Sequence, residues 1–394
     1  MAHSIKSISF IPPYVFSQLS RVDKENSELW KKCASQARKV IRQRAQEPVT
    51  SFSKAKYSQR SSSSMESKVY SPRVTVISKD EKIHPDLDAK NAKENGVVTL
   101  QFLWDCFGRK SFDNQGSRLT IYVHDNDVPN NAQWYDDDTI HVGDSNTPEY
   151  TTPATDPDIM GHETGHGVVK YTAQFRYKEQ SGALNESWAD ACGSMVKQYK
   201  LGQTANKADW LIGDEFIKDI GRVQALRSMK APGTAYEFDE NNKDLQVDHM
   251  AKYIETKKDS GGVHLNSGIP NKAFYLFAMT FPDRNSWEIA GQIWYKSLSF
   301  CNSTTTFLEF AEINVKVSET YKSNLPSEEI VMATCRSWNA VGILTSKYAL
   351  RTERFLPQKS VPEYQEYLSK SNRKQMRYVA QSDEEDVGPN CFCQ

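Results

Sequence analysis

The sequence lacks several features that would assign it to common classes of protein. No apolar run approaches the roughly 18 residues that a membrane span requires. The formal net charge is −1 in 394 residues, so there is no excess of basic residues to indicate nucleic-acid binding. The first residues also lack an apolar stretch long enough for a secretion signal. We therefore expect synthesis in the cytoplasm, with no transmembrane segment and no nucleic-acid partner; export without a signal stays open.

Cysteine is sparse and odd in number. The seven cysteines are Cys33, Cys106, Cys192, Cys301, Cys335, Cys391 and Cys393. Their spacing shows no pattern, which favours reduced thiols over a disulfide framework. Hydrophobic residues make up 38% of the chain and charged residues 25%, a composition that suits a soluble globular protein with polar extensions. The length allows two lobes and a large core.

Histidine is also rare, and the spacing of two histidines is informative. His162 and His166 stand four apart in Gly-His-Glu-Thr-Gly-His, so a helix places both on one face, where they can bind one metal ion. Glu163 lies beside them, within reach of a water on that ion. Glu186, in Asn-Glu-Ser-Trp-Ala-Asp, can supply a third ligand from a second helix. Three protein ligands and one open position are typical of a catalytic Zn²⁺ site.

The hydrophobic pattern predicts an α+β fold. Asp156 and Pro157 predict the start of the helix that carries the histidines, which runs to about Tyr171. A second helix is predicted from about 183 to 199, with Gly202 as its stop. The other predicted elements are strands at 72–78 and 119–124 and helices at 270–280, 286–299, 305–320 and 327–340.

The N-terminal region has the layout of a propeptide. Residues 25–45 carry apolar side chains at helical spacing and predict one amphipathic helix. Residues 46–68 are rich in serine and too polar to pack, which is typical of a linker. An ordinary disordered extension is the alternative interpretation.

These motifs resemble the thermolysin family of zinc metalloendopeptidases. The matching stretches are Gly161–Gly167, Tyr177–Asp190, Asn130–Trp134, Arg227–Met229 and Gly261–Asn271. The resemblance covers roughly residues 70–343, and Phe10–Tyr14 is similar to the start of protealysin-type members, which carry a short precursor segment. It implies a two-lobed thermolysin-like zincin with the zinc site between the lobes. The expected parts are a propeptide-like segment (1–68), a β-rich N-terminal catalytic lobe (69–171), a helical C-terminal lobe (172–343) and a polar tail (344–394).

The resemblance also implies roles for individual residues. Glu163 is the expected base, and Tyr177 and His264 are the expected donors to the oxyanion. Asp190 and Asp259 are expected to orient His162 and His264. The expected substrate-binding residues are Asn131, Ala132 and Trp134 on an edge strand, Arg227 on a substrate carbonyl, and Ile159 and Leu226 in an apolar pocket. This pocket predicts a large apolar residue, such as Leu or Phe, after the scissile bond.

One position departs from the family pattern. Asp158, Asp209 and Asp214 match a paired calcium site, but Lys197 stands at one of its carboxylate positions. A lysine ammonium can replace a calcium charge but cannot bind a metal ion. We therefore expect at most one Ca²⁺.

The expected function is that of a zinc-dependent neutral endopeptidase, monomeric and made as a precursor, that acts on peptides or proteins. The resemblance leaves a proteinaceous inhibitor open as a further partner. The alternatives are a zinc aminopeptidase, whose Gly-Ala-Met-Glu-Asn segment is absent from the sequence, and a catalytically silent peptide-binding relative. The silent relative is disfavoured because all the assigned catalytic positions are filled.

Overall fold

The computed structural model of the chain describes residues 7–45, 70–80, 86–145, 151–217 and 222–346. The predicted linker at 46–68 and the predicted tail beyond residue 346 lie outside these residues.

The helices of the described residues fall into an N-terminal pair and a longer C-terminal series. They are α1 (Pro13–Val22), α2 (Ser27–Ala45), α3 (Leu87–Phe107), α4 (Pro157–Lys170), α5 (Glu179–Leu201), α6 (Asp259–Asn266), α7 (Gly268–Met279), α8 (Ala290–Ser297), α9 (Phe307–Thr320) and α10 (Ser327–Ala340). The predicted helices from residue 157 onward are confirmed within a few residues, whereas α1, α3 and α6 were not predicted.

A five-stranded sheet forms the β-rich part of the structure. Its strands are β1 (Ser7–Ser9), β2 (Val74–Ser78), β3 (Leu119–Val123), β4 (Ala132–Tyr135) and β5 (Thr139–Val142), in the order β1-β4-β5-β3-β2. β2, β3 and β5 run parallel, while β4 is antiparallel to both β5 and β1. The short strands β6 (Leu211–Ile212) and β8 (Arg227–Ser228) form a second sheet; β7 (Arg222–Val223), β9 (Tyr236–Asp239) and β10 (Asn242–Lys243) form a third.

The sheet corrects one detail of the sequence analysis. β4 carries the predicted substrate-binding residues Ala132 and Trp134 and directly follows Asn131, but it is not the edge of the sheet in this chain, because β1 pairs with it. Residues so far apart in sequence give no local sign of pairing, and β1 is only three residues long.

The ends of α4 and α5 follow from their sequences. The Asp156 side chain accepts a hydrogen bond from the backbone N–H of Asp158, and Pro157 is the first residue of α4. Gly202 ends α5 in the left-handed region, with φ of 63°, where glycine avoids the strain of a Cβ atom. Both predicted helix boundaries are confirmed.

Glycines let α4 and α5 pack at close range. A Cβ atom added to Gly161 would lie 2.8 Å from the Cα atom of Gly193, and one added to Gly165 would lie 2.9 Å from the Cα atom of Ala189. Any larger residue would push the helices apart. This contact is what brings α5 side chains to the histidines of α4.

The predicted α+β fold is confirmed: the sheet and α3 belong to the first half of the chain, and the second half is mainly helical. In the described part of the chain, no helix is both long and apolar enough to cross a membrane. The five cysteines in the described residues form no disulfide with one another.

Candidate active site

The predicted metal ligands lie together between α4 and α5. His162 and His166 lie one turn apart on α4, with their Nε2 atoms 3.0 Å apart. Glu186 on α5 places its carboxylate oxygens 3.6 Å from His162 Nε2 and 3.7 Å from His166 Nε2. All three side chains are buried. Their ligand atoms lie within 4.8 Å of one another, so the three residues can bind one ion.

The hydrogen bonds of the imidazoles orient both rings so that their Nε2 atoms face each other. His162 Nδ1 is 2.8 Å from Asp190 Oδ1. His166 Nδ1 is 2.9 Å from Asn185 Oδ1. Because these oxygens are acceptors, we assign the ring protons to Nδ1, and each Nε2 then carries a lone pair. Two such lone pairs at 3.0 Å repel each other unless a cation balances them. The donor set therefore fits a metal ion.

The buried oxygens beside the histidines support this fit. Glu186 Oε2 and both carboxylate oxygens of Glu163 have no hydrogen-bond partner among the described residues. A buried polar atom without a partner is costly. Burial and, after it, the charge of Glu186 raise the pKa of Glu163 well above its ordinary value. Glu163 can therefore accept a proton from a group that enters the site.

Tyr177 and His264 lie against Glu186. Tyr177 donates its hydroxyl hydrogen to Glu186 Oε1 at 2.5 Å, and its oxygen is 3.2 Å from His264 Nε2. His264 Nδ1 donates to Asp259 Oδ1 at 2.7 Å. Burial lowers the pKa of His264, but the charges of Asp259 and Glu186 more than offset this and raise it to about 9. A protonated His264 can donate a hydrogen bond from Nε2 as well.

Asp190 connects the metal ligands to a buried arginine. Its carboxylate accepts hydrogen bonds from Arg227 Nη2 at 2.8 Å and Arg227 Nε at 2.9 Å. Asn271 Nδ2 donates to Asp190 Oδ2 at 2.9 Å. Burial raises the pKa of Asp190, but Arg227 and then the bond from His162 outweigh this and hold it well below its ordinary range. Asp190 is therefore an anion that fixes both His162 and Arg227.

Asn185 and Asn271 were not among the site residues predicted from the sequence. Asn185 directly precedes the predicted ligand Glu186, and this adjacency could have marked it as a candidate site residue. Asn271 ends the matching stretch Gly261–Asn271, but nothing local indicates that its amide reaches Asp190.

The N-terminal segment lies in the cleft formed by these residues. β1 pairs antiparallel with β4, with Ile8 opposite Trp134. Phe10 N–H donates to Ala132 O at 3.0 Å. Phe10 O accepts from Arg227 Nη1, also at 3.0 Å. The sequence predicted an amphipathic helix in the N-terminal region but gave no sign of the strand that pairs with β4.

The amphipathic helix α2 adds a second contact over the site. Ile41 of α2 is buried in a small apolar cluster with Ile8, Tyr177 and Val263. The Ser260 hydroxyl donates to Ile41 O at 3.3 Å. The strand and the helix together therefore bury Tyr177 and the turn before His264.

The predicted apolar pocket residues are both buried. Ile159 lies on α4, one turn before His162, and is fully buried. Leu226 precedes β8 and lines a small apolar cavity together with Ile11 and Phe16 of the N-terminal segment. The structure thus places Leu226 against the segment that occupies the cleft.

The predicted calcium ligands surround a lysine. Lys197 Nζ is 2.9 Å from Asp209 Oδ2 and 3.8 Å from Asp158 Oδ2, and it also donates to Asp214. Burial lowers the pKa of Lys197, but these carboxylates, Asp158 first, raise it above its ordinary value. Asp156, which the sequence analysis did not include, has its ligand oxygen near those of Asp158 and Asp214. The acidic cluster therefore already holds a positive charge.

A third group of metal-type side chains, Asp88, His124 and Asp144, is less suited to bind metal. His124 Nδ1 is 2.5 Å from Asp144 Oδ1, and His124 Nε2 is 3.1 Å from Asp86 Oδ1. Both ring nitrogens are engaged with carboxylates, which leaves no lone pair for an ion.

Comparison with known proteins agrees with the geometry of the site. Residues 35–170 match the model of the thermolysin metallopeptidase catalytic domain, and residues 173–343 match the model of its alpha-helical domain. The chain is 36% identical over 341 residues to an extracellular metalloprotease of Pectobacterium carotovorum subsp. carotovorum, covering 85% of this chain and 96% of the relative. It is 39% identical over 262 residues to Protease PrtS of Photorhabdus sp. (strain Az29), covering 66% and 69%.

A solved structure shows the same similarity along most of the chain. The precursor of protealysin, a metalloproteinase from Serratia proteamaculans, matches with a TM-score of 0.68 and 32% identity. The match covers 85% of this chain and 99% of that chain, and both family models together span the two lobes. The chain therefore belongs to the thermolysin family of metalloendopeptidases.

Proposed function

We propose that His162, His166 and Glu186 hold a single zinc ion and that this enzyme hydrolyses internal peptide bonds there. The observation that carries the proposal is that the two Nε2 atoms lie 3.0 Å apart beside a buried glutamate oxygen without a hydrogen-bond partner. Two histidines and one glutamate are a known ligand set of catalytic zinc. When bound, zinc supplies Lewis-acid chemistry: it acidifies a water molecule and polarises a carbonyl.

Glu163 is the proposed base. Its raised pKa suits a carboxylate that takes a proton from the attacking water and later gives it to the departing amine. Burial favours this role because it keeps bulk water away from the transferred proton.

Tyr177 and His264 are the proposed donors to the carbonyl oxygen on which negative charge develops. Their side chains lie 3.2 Å apart, so both can reach one oxygen. Donors that are held in place before the reaction stabilise this charge without reorganisation. Asp259 positions His264, and Asp190 positions His162.

The proposed substrate site runs along β4. Asn131 and Ala132 offer hydrogen bonds to an extended peptide, and Trp134 continues the strand. Arg227 is proposed to bind the carbonyl of the residue after the scissile bond. Pairing with a strand reads the shape of a peptide rather than its sequence. The selection therefore falls to the apolar pocket of Ile159 and Leu226, for which we propose a preference for large apolar residues.

We propose that the intact chain is latent. The N-terminal segment fills the positions that a substrate needs on Ala132, Arg227 and His264. Activity should rise when the 46–68 linker is cut. Equal activity before and after the cut would contradict the proposed latency of the intact chain.

The finer assignments follow from the same residues. We propose at most one bound calcium, because Lys197 supplies charge to the acidic cluster. We also propose lobes at 69–171 and 172–343, which the family models at 35–170 and 173–343 support. The monomeric state, a proteinaceous inhibitor and synthesis in the cytoplasm stay predictions.

Casein cleavage by the linker-cut chain, wild type beside Glu163→Ala, tests the proposed function. We expect the variant to lose about 10²–10⁴-fold in rate, because the base is removed, while both proteins keep one zinc per chain. A wild type that binds zinc but cleaves nothing would contradict the proposal. An internally quenched peptide with a blocked N-terminus should also be cut, which an aminopeptidase cannot do.

A further inference from the structure

The N-terminal segment binds in the register of a substrate. Ser9 O accepts a hydrogen bond from His264 Nε2 at 3.1 Å, so this carbonyl lies where the proposed oxyanion donor points. The next carbonyl, that of Phe10, lies on Arg227. These two contacts place the Ser9–Phe10 peptide bond between the groups assigned to the two sides of a scissile bond. The fully buried Phe10 ring, 4.9 Å from the His162 ring, is then the residue after that bond.

The Ser9 side chain makes contacts that span this bond. The Ser9 hydroxyl donates to Ile11 O at 2.9 Å. Asn131 Nδ2 in turn donates to Ser9 Oγ at 2.6 Å, and Asn131 Oδ1 accepts from Ile11 N–H at 2.9 Å. We call this set of hydrogen bonds the Ser9 bridge. The bridge links Ser9 to Ile11 across the Ser9–Phe10 bond, directly through the Ser9 hydroxyl and indirectly through Asn131.

The Ser9 bridge also shows that the segment is not a regular strand at this point. An extended chain rises by about 3.3 Å per residue, so a side chain and the carbonyl two residues later lie too far apart to bond. β1 ends at Ser9, and the chain turns at Phe10 so that the hydroxyl reaches Ile11 O.

We propose that Ser9–Phe10 is a cleavage site held intact by the Ser9 bridge, which makes the N-terminal segment an inhibitor instead of a substrate. The proposal rests on the proposed function. In hydrolysis, the hydroxyl of a water joins the Ser9 carbonyl carbon, the C–N bond breaks, and the Phe10 nitrogen takes the remaining proton.

The bridge opposes the release of the products of this step. After a cut, Ser9 and Ile11 stay joined by the hydroxyl bond and by Asn131, and α1 and α2 keep the new Phe10 terminus in place. Ends held this close have a high effective concentration, so the peptide bond re-forms more often than the short N-terminal piece leaves.

Removal of the Ser9 hydroxyl is the direct test. Full-length, zinc-loaded chain is incubated as wild type, Ser9→Ala, Ser9→Thr and Ser20→Ala, and intact mass is measured. We expect Ser9→Ala to lose residues 1–9 and to accumulate a chain that begins at Phe10. Its clipped fraction should exceed that of the wild type at least about fivefold, since two hydrogen bonds are lost.

The other variants are matched controls. Ser9→Thr keeps the hydroxyl and should stay within about twofold of the wild type. Ser20 also bonds a backbone carbonyl within the N-terminal segment, Ser17 O at 2.9 Å, but lies away from the cleft. Ser20→Ala should therefore remain intact. A second Glu163→Ala substitution should stop the clipping of Ser9→Ala.

Hydrogen exchange tests the bridge without catalysis. In a Glu163→Ala background, Ser9→Ala should reduce the protection of the Phe10 and Ile11 amides about two- to tenfold, and Ser20→Ala should not. An unchanged melting temperature shows that the variants fold.

Two results would overturn the proposal. The first is a Ser9→Ala chain that stays intact although its linker-cut form cleaves casein; this result leaves the proposed function standing. The second is unchanged exchange at Phe10 and Ile11. If no linker-cut form cleaves casein, the proposed function fails as well.

Discussion

The helix pair α4 and α5 holds two buried clusters of metal-type side chains, and they differ in charge balance. Near the middle of α4, His162 and His166 bring their Nε2 atoms 3.0 Å apart beside Glu186, whose Oε2 has no hydrogen-bond partner among the described residues. At the start of α4, Asp158 lies in a carboxylate cluster whose counter-charge is the ammonium of Lys197. The comparison teaches that ligand-type residues indicate a metal site only where the protein leaves their charge and lone pairs unbalanced.

Among the changes that test this contrast, Lys197→Ala should have the largest effect, which is a loss of stability. Loss of the ammonium leaves the buried carboxylate of Asp158, and those of Asp209 and Asp214, without their counter-ion. Breaking a buried ion pair costs about 3–5 kcal/mol, and we expect the lower end because the Asp209 side chain is 40% exposed. Thermal unfolding in the absence of calcium measures the loss.

Calcium should restore part of this stability in the Lys197→Ala variant. An ion at about 100 times its Kd stabilises by about 2.7 kcal/mol. Lys200→Ala is the matched control on the same helix, since Lys200 donates to the amide of Asn95 and to no carboxylate of the cluster. A Lys197→Ala chain as stable as the wild type, or one that ignores calcium, would contradict the charge-replacement interpretation.

Asp190→Asn should have a smaller effect, on the other cluster. The amide keeps the shape of the side chain but removes the negative charge that holds the His162 ring and balances Arg227. Loss of such a partner weakens metal binding or activity about 10–100-fold. Zinc competition with a chromogenic chelator measures the affinity.

The control for Asp190→Asn is Asp138→Asn. Asp138 also pairs with a cation, Lys170, and accepts a tyrosine hydroxyl, but it does so away from the metal ligands. Equal zinc affinity in Asp190→Asn and wild type would show that the charge of Asp190 does not support the site.

Calcium added to the wild type should have the smallest effect. Lys197 already supplies the charge, so millimolar calcium should shift the melting temperature by less than about 1 °C, which corresponds to less than about 1 kcal/mol for a protein of this size. A zinc chelator should abolish activity under the same conditions. A large calcium-dependent rise in the melting temperature would break the distinction between the two clusters.

Local sequence rules predict the parts of the site that a single helix defines. The four-residue spacing of His162 and His166 fixes their common face, and Asp156, Pro157 and Gly202 fix helix ends. The same rules do not predict α3, because its buried face includes Asn95, Gly96 and Thr99, which interrupt the apolar pattern that would mark that face in the sequence. Element type therefore follows from sequence where periodicity or capping is strong.

The sequence by itself determined which residues could bind a metal, since helical periodicity and the chemistry of histidine and glutamate are local properties. It also placed Lys197 among acidic residues, through the family pattern. Only the tertiary structure decided that Asn185 and Asn271 support the site and that β1 occupies the substrate strand. These contacts join residues between 19 and 126 positions apart (His166 to Asn185, Ile8 to Trp134). Such pairings depend on the packing of the whole chain, which no local pattern encodes.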